Sequence, residues 1–121
     1  MTRVIIAGSR KFDNYELLRE KCDKIIPEEA EIISGGCRGA DFLGERYALE
    51  RGYPLVVFPA DWKKFGNRAG PLRNGQMAAY AKKADKGILI AFPIGESRGT
   101  RNMINQAKEH GLDVYVIEGQ T

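Results

Sequence analysis

Between Glu31 and Asp41 the chain reads Glu-Ile-Ile-Ser-Gly-Gly-Cys-Arg-Gly-Ala-Asp, and no other stretch restricts the fold as strongly. Ile32 and Ile33 are β-branched and apolar, as at the end of a buried strand. Gly35 and Gly36 together predict a tight turn with positive φ, where another group can approach a backbone that lacks Cβ. Gly39, one turn on, suits close contact between the next helix and the strand it leaves. A helix opening here would present unpaired N–H groups and the positive end of its dipole, a site for phosphate or carboxylate. The spacing is neither G-x-G-x-x-G nor G-x-x-x-x-G-K-[ST], so neither a conventional dinucleotide site nor a P-loop is indicated.

The same strand–turn–helix unit recurs along the chain. Arg3 to Gly8 is a near-continuous apolar run, as expected of a central strand covered on both faces. The turn Gly8-Ser9-Arg10 follows, and Asp13 with Glu16 has the spacing of a capping box. Leu18, Cys22, Ile25 and Ile26 then mark an amphipathic helix that Pro27 stops. After the double-glycine turn a helix runs to about Arg51, with Leu43 and Tyr47 inward and Gly52 closing it. Pro54 to Phe58 is a third strand. The segment from Pro59 to Gly70 reads as a long connection, of the kind that is usually functional or disordered. Pro71 opens the next helix, with Met77, Tyr80, Ala81 and Ala84 as its apolar stripe. Gly87 to Phe92 is the fourth strand, and Ser97-Arg98-Gly99-Thr100 is a further turn before a helix burying Met103, Ile104 and Ala107. Gly111 ends that helix, and Leu112 to Ile117 is the fifth strand. This alternation predicts one α/β domain over residues 1–121: a doubly wound, Rossmann-like, mostly parallel sheet of about five strands flanked by helices.

Composition narrows the function classes. The 121 residues carry 43% hydrophobic and 29% charged side chains, ordinary for a globular domain. No apolar stretch approaches the length of a membrane span, and no leader-like region follows Met1. Cys22 and Cys37 stand in different settings, so the expectation is a cytoplasmic protein with reduced thiols. With one His and two separated Cys, no metal site is expected, and no cofactor. His110 reads as a helix-capping residue. The net charge of +3 is uneven: from Asp61 to Lys86, seven Lys and Arg face two Asp. That segment is either an anion-attracting patch or a solvated face.

Ligands of doubly wound sheets bind beyond the carboxyl ends of the strands. Three turns converge there in this reading: Gly8, Ser9 and Arg10; Ser34, Gly35, Gly36, Arg38 and Gly39; and Ser97, Arg98, Gly99 and Thr100. Each contains an arginine suited to bidentate contact with phosphate. Asp41 is either a helix N-terminal charge or the acceptor of a ribose hydroxyl. Trp62 and Phe65 either stack on a base or anchor their loop. Cys37 reads as a small turn residue.

The combination AGSR, SGGCRGAD, FPADW, GPLRNGQM and SRGT resembles the SLOG superfamily, and within it the YspA-type SLOG family. That superfamily includes the Lonely-Guy phosphoribohydrolases and the DNA-processing protein A family. The resemblance spans nearly the whole chain. It implies a Rossmann-like sheet with a pocket for nucleotides or nucleotide-derived ligands, and a sensing role often associated with phages and mobile elements. Arg73-Asn74-Gly75-Gln76-Met77 fits the arginine-bearing R-K-x-x-M helix of the Lonely-Guy enzymes, with Asn74 in place of lysine. It therefore implies Arg73 and Asn74 as ligand contacts. At the G-T-x-x-E element, Gly99-Thr100-Arg101-Asn102-Met103 puts Met103 where the glutamate would stand.

The leading expectation is a ligand-binding or sensing module for a phosphorylated nucleotide or an ADP-ribose-like molecule. The alternative is an N-glycosidase on nucleoside monophosphates, with Arg73 and with Asp41 or Asp61 replacing the missing glutamate as catalytic candidates. A single-stranded DNA-binding module is the third reading and requires the basic segment to form a continuous groove. A nucleotide-derived small molecule is thus the expected partner. Nucleic acid is not favoured, a membrane is not expected, and a homo-oligomer is left open.

Overall fold

The computed structural model describes residues 1–118; the last three residues of the domain expected over 1–121 lie outside the described residues. The described elements alternate as the sequence predicts: β1 (Thr2–Gly8), α1 (Tyr15–Ile25), β2 (Ala30–Ser34), α2 (Ala40–Arg51), β3 (Leu55–Val57), α3 (Trp62–Phe65), α4 (Ala69–Lys82), β4 (Lys86–Phe92), α5 (Arg98–Glu109) and β5 (Asp113–Val116). The five strands form one parallel sheet in the order β3-β2-β1-β4-β5.

The strand periodicity of two divides the core. Val4 and Ile6 of β1 join Ile32, Ile88 and Ile90 beneath α1 and α2. Ile5 and Ala7 join Ile33, Leu89 and Ala91 beneath α4 and α5. Because both faces are covered, the central strands are apolar throughout rather than alternating. β1 and β4 pair over their full length, from Thr2 against Lys86 to Gly8 against Phe92. Beyond that pair the chain leaves to opposite faces, β1 to α1 and β4 to α5, and opens a crevice at the carboxyl edge.

Local details differ from the sequence expectations. Helix α1 is capped by Asn14, whose side chain accepts from Leu17 N–H at 3.1 Å, and not by a box built on Asp13. The connection before Pro71 is not irregular: Asp61 caps α3 by accepting from Lys64 N–H at 3.1 Å, and a 3-10 turn at Gly66–Arg68 leads straight into α4. Helix α4 therefore opens at Ala69, and Pro71 lies within its first turn. Ala84 falls beyond its end. Cys22 is buried under α1, and burial pushes its thiol up to about 12. His110 caps α5 at the opposite edge of the sheet, with Nδ1 2.7 Å from the Gln106 carbonyl.

Candidate functional site

The first turn of the crevice is fixed by close packing. A Cβ on Gly8 would stand 2.4 Å from the Phe92 carbonyl, and one on Gly39, at φ 83°, would stand 2.3 Å from the Ser9 carbonyl. The Ser9 carbonyl accepts from both Phe12 N–H and Ala40 N–H, and Ser9 Oγ accepts from Lys11 N–H at 3.1 Å. The β1 turn and the start of α2 are thus one unit. Arg10 and Lys11 project from it, exposed.

The double-glycine turn is arranged differently from the expectation. Gly36 has positive φ, 75°, whereas Gly35 does not. Gly35 is required for another reason. A Cβ there would lie 2.6 Å from Arg73 Nη1 and 2.7 Å from Asp41 Oδ2. The groups that approach the bare backbone are therefore the chain's own arginine and carboxylate. Ser34 Oγ braces the turn, accepting from Gly36 N–H at 3.0 Å and donating to Glu45 at 2.7 Å. Cys37 N–H donates to Asp41 Oδ2 at 3.3 Å.

Asp41 is only 6% exposed, and its carboxyl is pushed up from the usual range to about 6. Desolvation is the main cause; the Cys37 N–H and the Arg73 charge oppose it. Arg73 itself is buried. Its Nε donates to Asn74 Oδ1 at 3.0 Å, Nη1 to the Gly35 carbonyl and, at 3.5 Å, to the Phe58 carbonyl, and Nη2 to Cys37 Sγ at 3.8 Å. Asn74 in turn donates to the Gly99 carbonyl at 3.3 Å and to Asn102 Oδ1 at 3.1 Å, linking α4 to the first turn of α5. Arg73 and Asn74 occupy the same helical face as Met77, Ala78 and Ala81, all buried. Polar residues on an otherwise apolar stripe are the sequence signal that marks them.

Helix α5 is capped by Ser97, whose Oγ accepts from Thr100 N–H at 3.3 Å and lies 2.9 Å from Thr100 Oγ1. Arg98 and Gly99 stand exposed at its mouth. These pieces enclose a cavity of about 480 Å³. Of the residues expected from sequence, Gly8, Ser9, Arg10, Asp41, Arg73, Asn74, Ser97, Arg98, Gly99 and Thr100 line it. Ser34, Gly35, Gly36, Arg38 and Gly39 do not; they form the scaffold behind the wall or, for Arg38, face solvent. Asp61 is also outside it. The wall further includes Lys11, Cys37, Trp62, Asn67, Asn102 and Met103, which the turn motifs alone do not mark as a group.

The basic segment is divided. Lys63, Lys64 and Arg68 lie before α4, whereas Lys82 is its last residue and Lys83 and Lys86 follow it. The 14 residues between are about 20 Å of helix. Lys86 is paired with Asp113 at 3.5 Å.

A doubly wound α/β sheet with a polar, arginine-bearing crevice at its topological switch point defines a Rossmann-like protein. Residues 2–65 match the YspA, cpYpsA-related SLOG family, and the chain belongs to that family. It is 32% identical to the Gene 61 protein of Mycobacterium phage D29 over 94% of both chains. Its fold matches that of DNA processing protein A from Streptococcus pneumoniae, with a TM-score of 0.73 at 19% identity. That match covers 98% of this chain but 50% of the other, so the chain spans about half the length of that relative. Among the described residues no helix is long and apolar enough to cross a membrane.

Proposed function

We propose that the chain binds a phosphorylated nucleotide, or a nucleotide-derived ligand of the ADP-ribose type, in the crevice beyond β1 and β4. One observation carries this reading. A cavity of about 480 Å³, within the usual range for small-molecule sites, has Arg10, Lys11 and Arg98 at its rim and the N-terminus of α5 in its wall. The cations and helix terminus suit the phosphate, and Trp62, half exposed on the same wall, suits a base. Membership of the SLOG family is consistent with such a ligand.

The hydrolase reading has less support. Met103 lines the cavity at the position where the Lonely-Guy pattern has glutamate, and Asp61 is spent on capping α3 outside it. Of the two carboxylates that line the cavity, Glu96 is exposed and paired with Arg101 at 3.3 Å, which leaves Asp41 to serve. The DNA reading, suggested by the name of the S. pneumoniae protein, requires a continuous basic groove, and the basic segment is split between the two ends of α4.

The test is a thermal-shift screen of nucleotides and ADP-ribose, followed by titration of the lone tryptophan's fluorescence. Arg10→Ala combined with Arg98→Ala should weaken the best ligand at least tenfold while leaving the fold intact. Base release at ordinary enzyme rates would favour the hydrolase, and a salt-steep DNA shift would favour the nucleic-acid reading. Absence of any response to phosphorylated ligands refutes the proposal.

A further inference from the structure

The buried carboxylate of Asp41 is met by few donors. Cys37 N–H reaches Oδ2 at 3.3 Å and the Gly35 amide also bonds the carboxylate, both from the backbone of its own turn. An ionised carboxylate offers about four acceptor positions, and buried acceptors are rarely left unused. Asp41 is 6% exposed and lies on the cavity wall, so its open capacity is directed at whatever enters.

Its place in the fold selects the kind of donor. Ala40 N–H bonds the Ser9 carbonyl at 3.2 Å, so Asp41 follows directly on the residue that grips the β1 turn. That turn carries Arg10 and Lys11, cations suited to a phosphate. Trp62, the aromatic wall, belongs to the separate α3–α4 segment, packed on Gly70, where a Cβ would stand 3.2 Å from the indole. In a nucleotide the group between phosphate and base is the sugar, and its hydroxyls are the neutral donors there. We propose that Asp41 accepts a hydrogen bond from a ribose hydroxyl and makes the site selective for ribo- over deoxyribo-ligands.

This inference rests on the nucleotide-binding reading above, and the two can fail separately. The probes are AMP, 2′-deoxy-AMP and 3′-deoxy-AMP, with ribose 5-phosphate and 2-deoxyribose 5-phosphate as base-free counterparts. Affinities are measured by calorimetry on the wild-type chain at pH 8, where Asp41 is ionised. At least one deoxy analogue should bind about ten- to a hundredfold more weakly than its ribo partner, because a hydrogen bond to a buried charge is lost. A site that hydrogen-bonds a hydroxyl rejects the analogue lacking it more strongly than a merely shaped pocket does. Asp41→Asn should reduce that ratio to a few fold. Equal affinities of AMP and both deoxy analogues, with phosphate-dependent binding intact, overturn the role of Asp41 and leave the nucleotide site standing. Binding of none of the phosphorylated probes overturns both. Since the decisive comparison uses wild-type protein, it holds even if the variant does not fold.

Discussion

Arg73→Ala should cost stability first and affinity second. A guanidinium has five N–H donors, and four of them are committed within the chain: one to Asn74 Oδ1, two to the Gly35 and Phe58 carbonyls, and one to Cys37 Sγ. One N–H on Nη2 remains for an occupant of the cavity. Truncation leaves buried acceptors without partners, at about 1–3 kcal/mol each, and removes the cation that offsets the buried Asp41 charge. Such losses are not additive, and leaving a buried charge uncompensated typically costs about 3–5 kcal/mol in total. For a domain of ordinary stability that is a third or more of the whole. Urea unfolding at pH 7.5 measures it, and the midpoint should fall by roughly 2 M. Arg73→Lys keeps the charge without the planar fork and should recover only part of the loss. Asp41 in Arg73→Ala should also titrate above the wild-type value of about 6. A loss below about 1 kcal/mol, with affinity nonetheless abolished, would refute the reasoning and return Arg73 to the role of a plain ligand contact.

Gly35→Ala should destabilise by about 1–3 kcal/mol, read by the same unfolding assay, since the new methyl meets Arg73 and Asp41 at 2.6 and 2.7 Å. Asp41 holds its proton more tightly folded than unfolded, so its contribution to stability falls as pH rises from 3.8 to about 6. Asp41→Asn should therefore match wild type near pH 4 and exceed it by up to about 3 kcal/mol at pH 7.5; a difference independent of pH would contradict this. Asn74→Ala should release the first turn of α5 from α4, with hydrogen exchange at Gly99–Asn102 faster by about tenfold, as expected for one lost hydrogen-bonding residue.

The sheet was legible because its information is local. Runs such as Arg3–Gly8 and Gly87–Phe92 are apolar on both faces, and each ends in a glycine turn, which together leave little besides a parallel sheet under helices. The crevice was legible in part for the same reason, since turns at the carboxyl ends of β1 and β4 must meet at the switch point. What the sequence could not supply was partner choice across distance. Arg73 meets Gly35 across 38 residues of chain, and Asp41 bends back to the Cys37 amide within its own turn. Nothing in the spacing separates a glycine bared for a foreign phosphate from one bared for an internal arginine. Trp62 and Asn67 reach the wall because α3 and the 3-10 turn fold the connection back onto α4, a compaction hidden in a stretch without apolar periodicity.

That partner choice bears on how the three turns divide their work. The double-glycine turn has the backbone of an anion cradle, yet the anion beside it is the chain's own Asp41, held by the Cys37 amide and faced by Arg73. A phosphate placed on the same amides would sit against that carboxylate, and two like charges in a desolvated wall repel strongly. The turns after β1 and β4 have no buried anion of this kind: their cations, Arg10, Lys11 and Arg98, are exposed at the rim, and the one carboxylate they bring to the wall, Glu96, is exposed and paired with Arg101 at 3.3 Å. Charge therefore favours the phosphate at those two turns and turns the middle one into a fixed acceptor facing the cavity. The consequence is a polarised crevice, cationic at the rim and anionic at Asp41, and a ligand that fits it must carry its own negative charge and its hydrogen-bond donors at opposite ends.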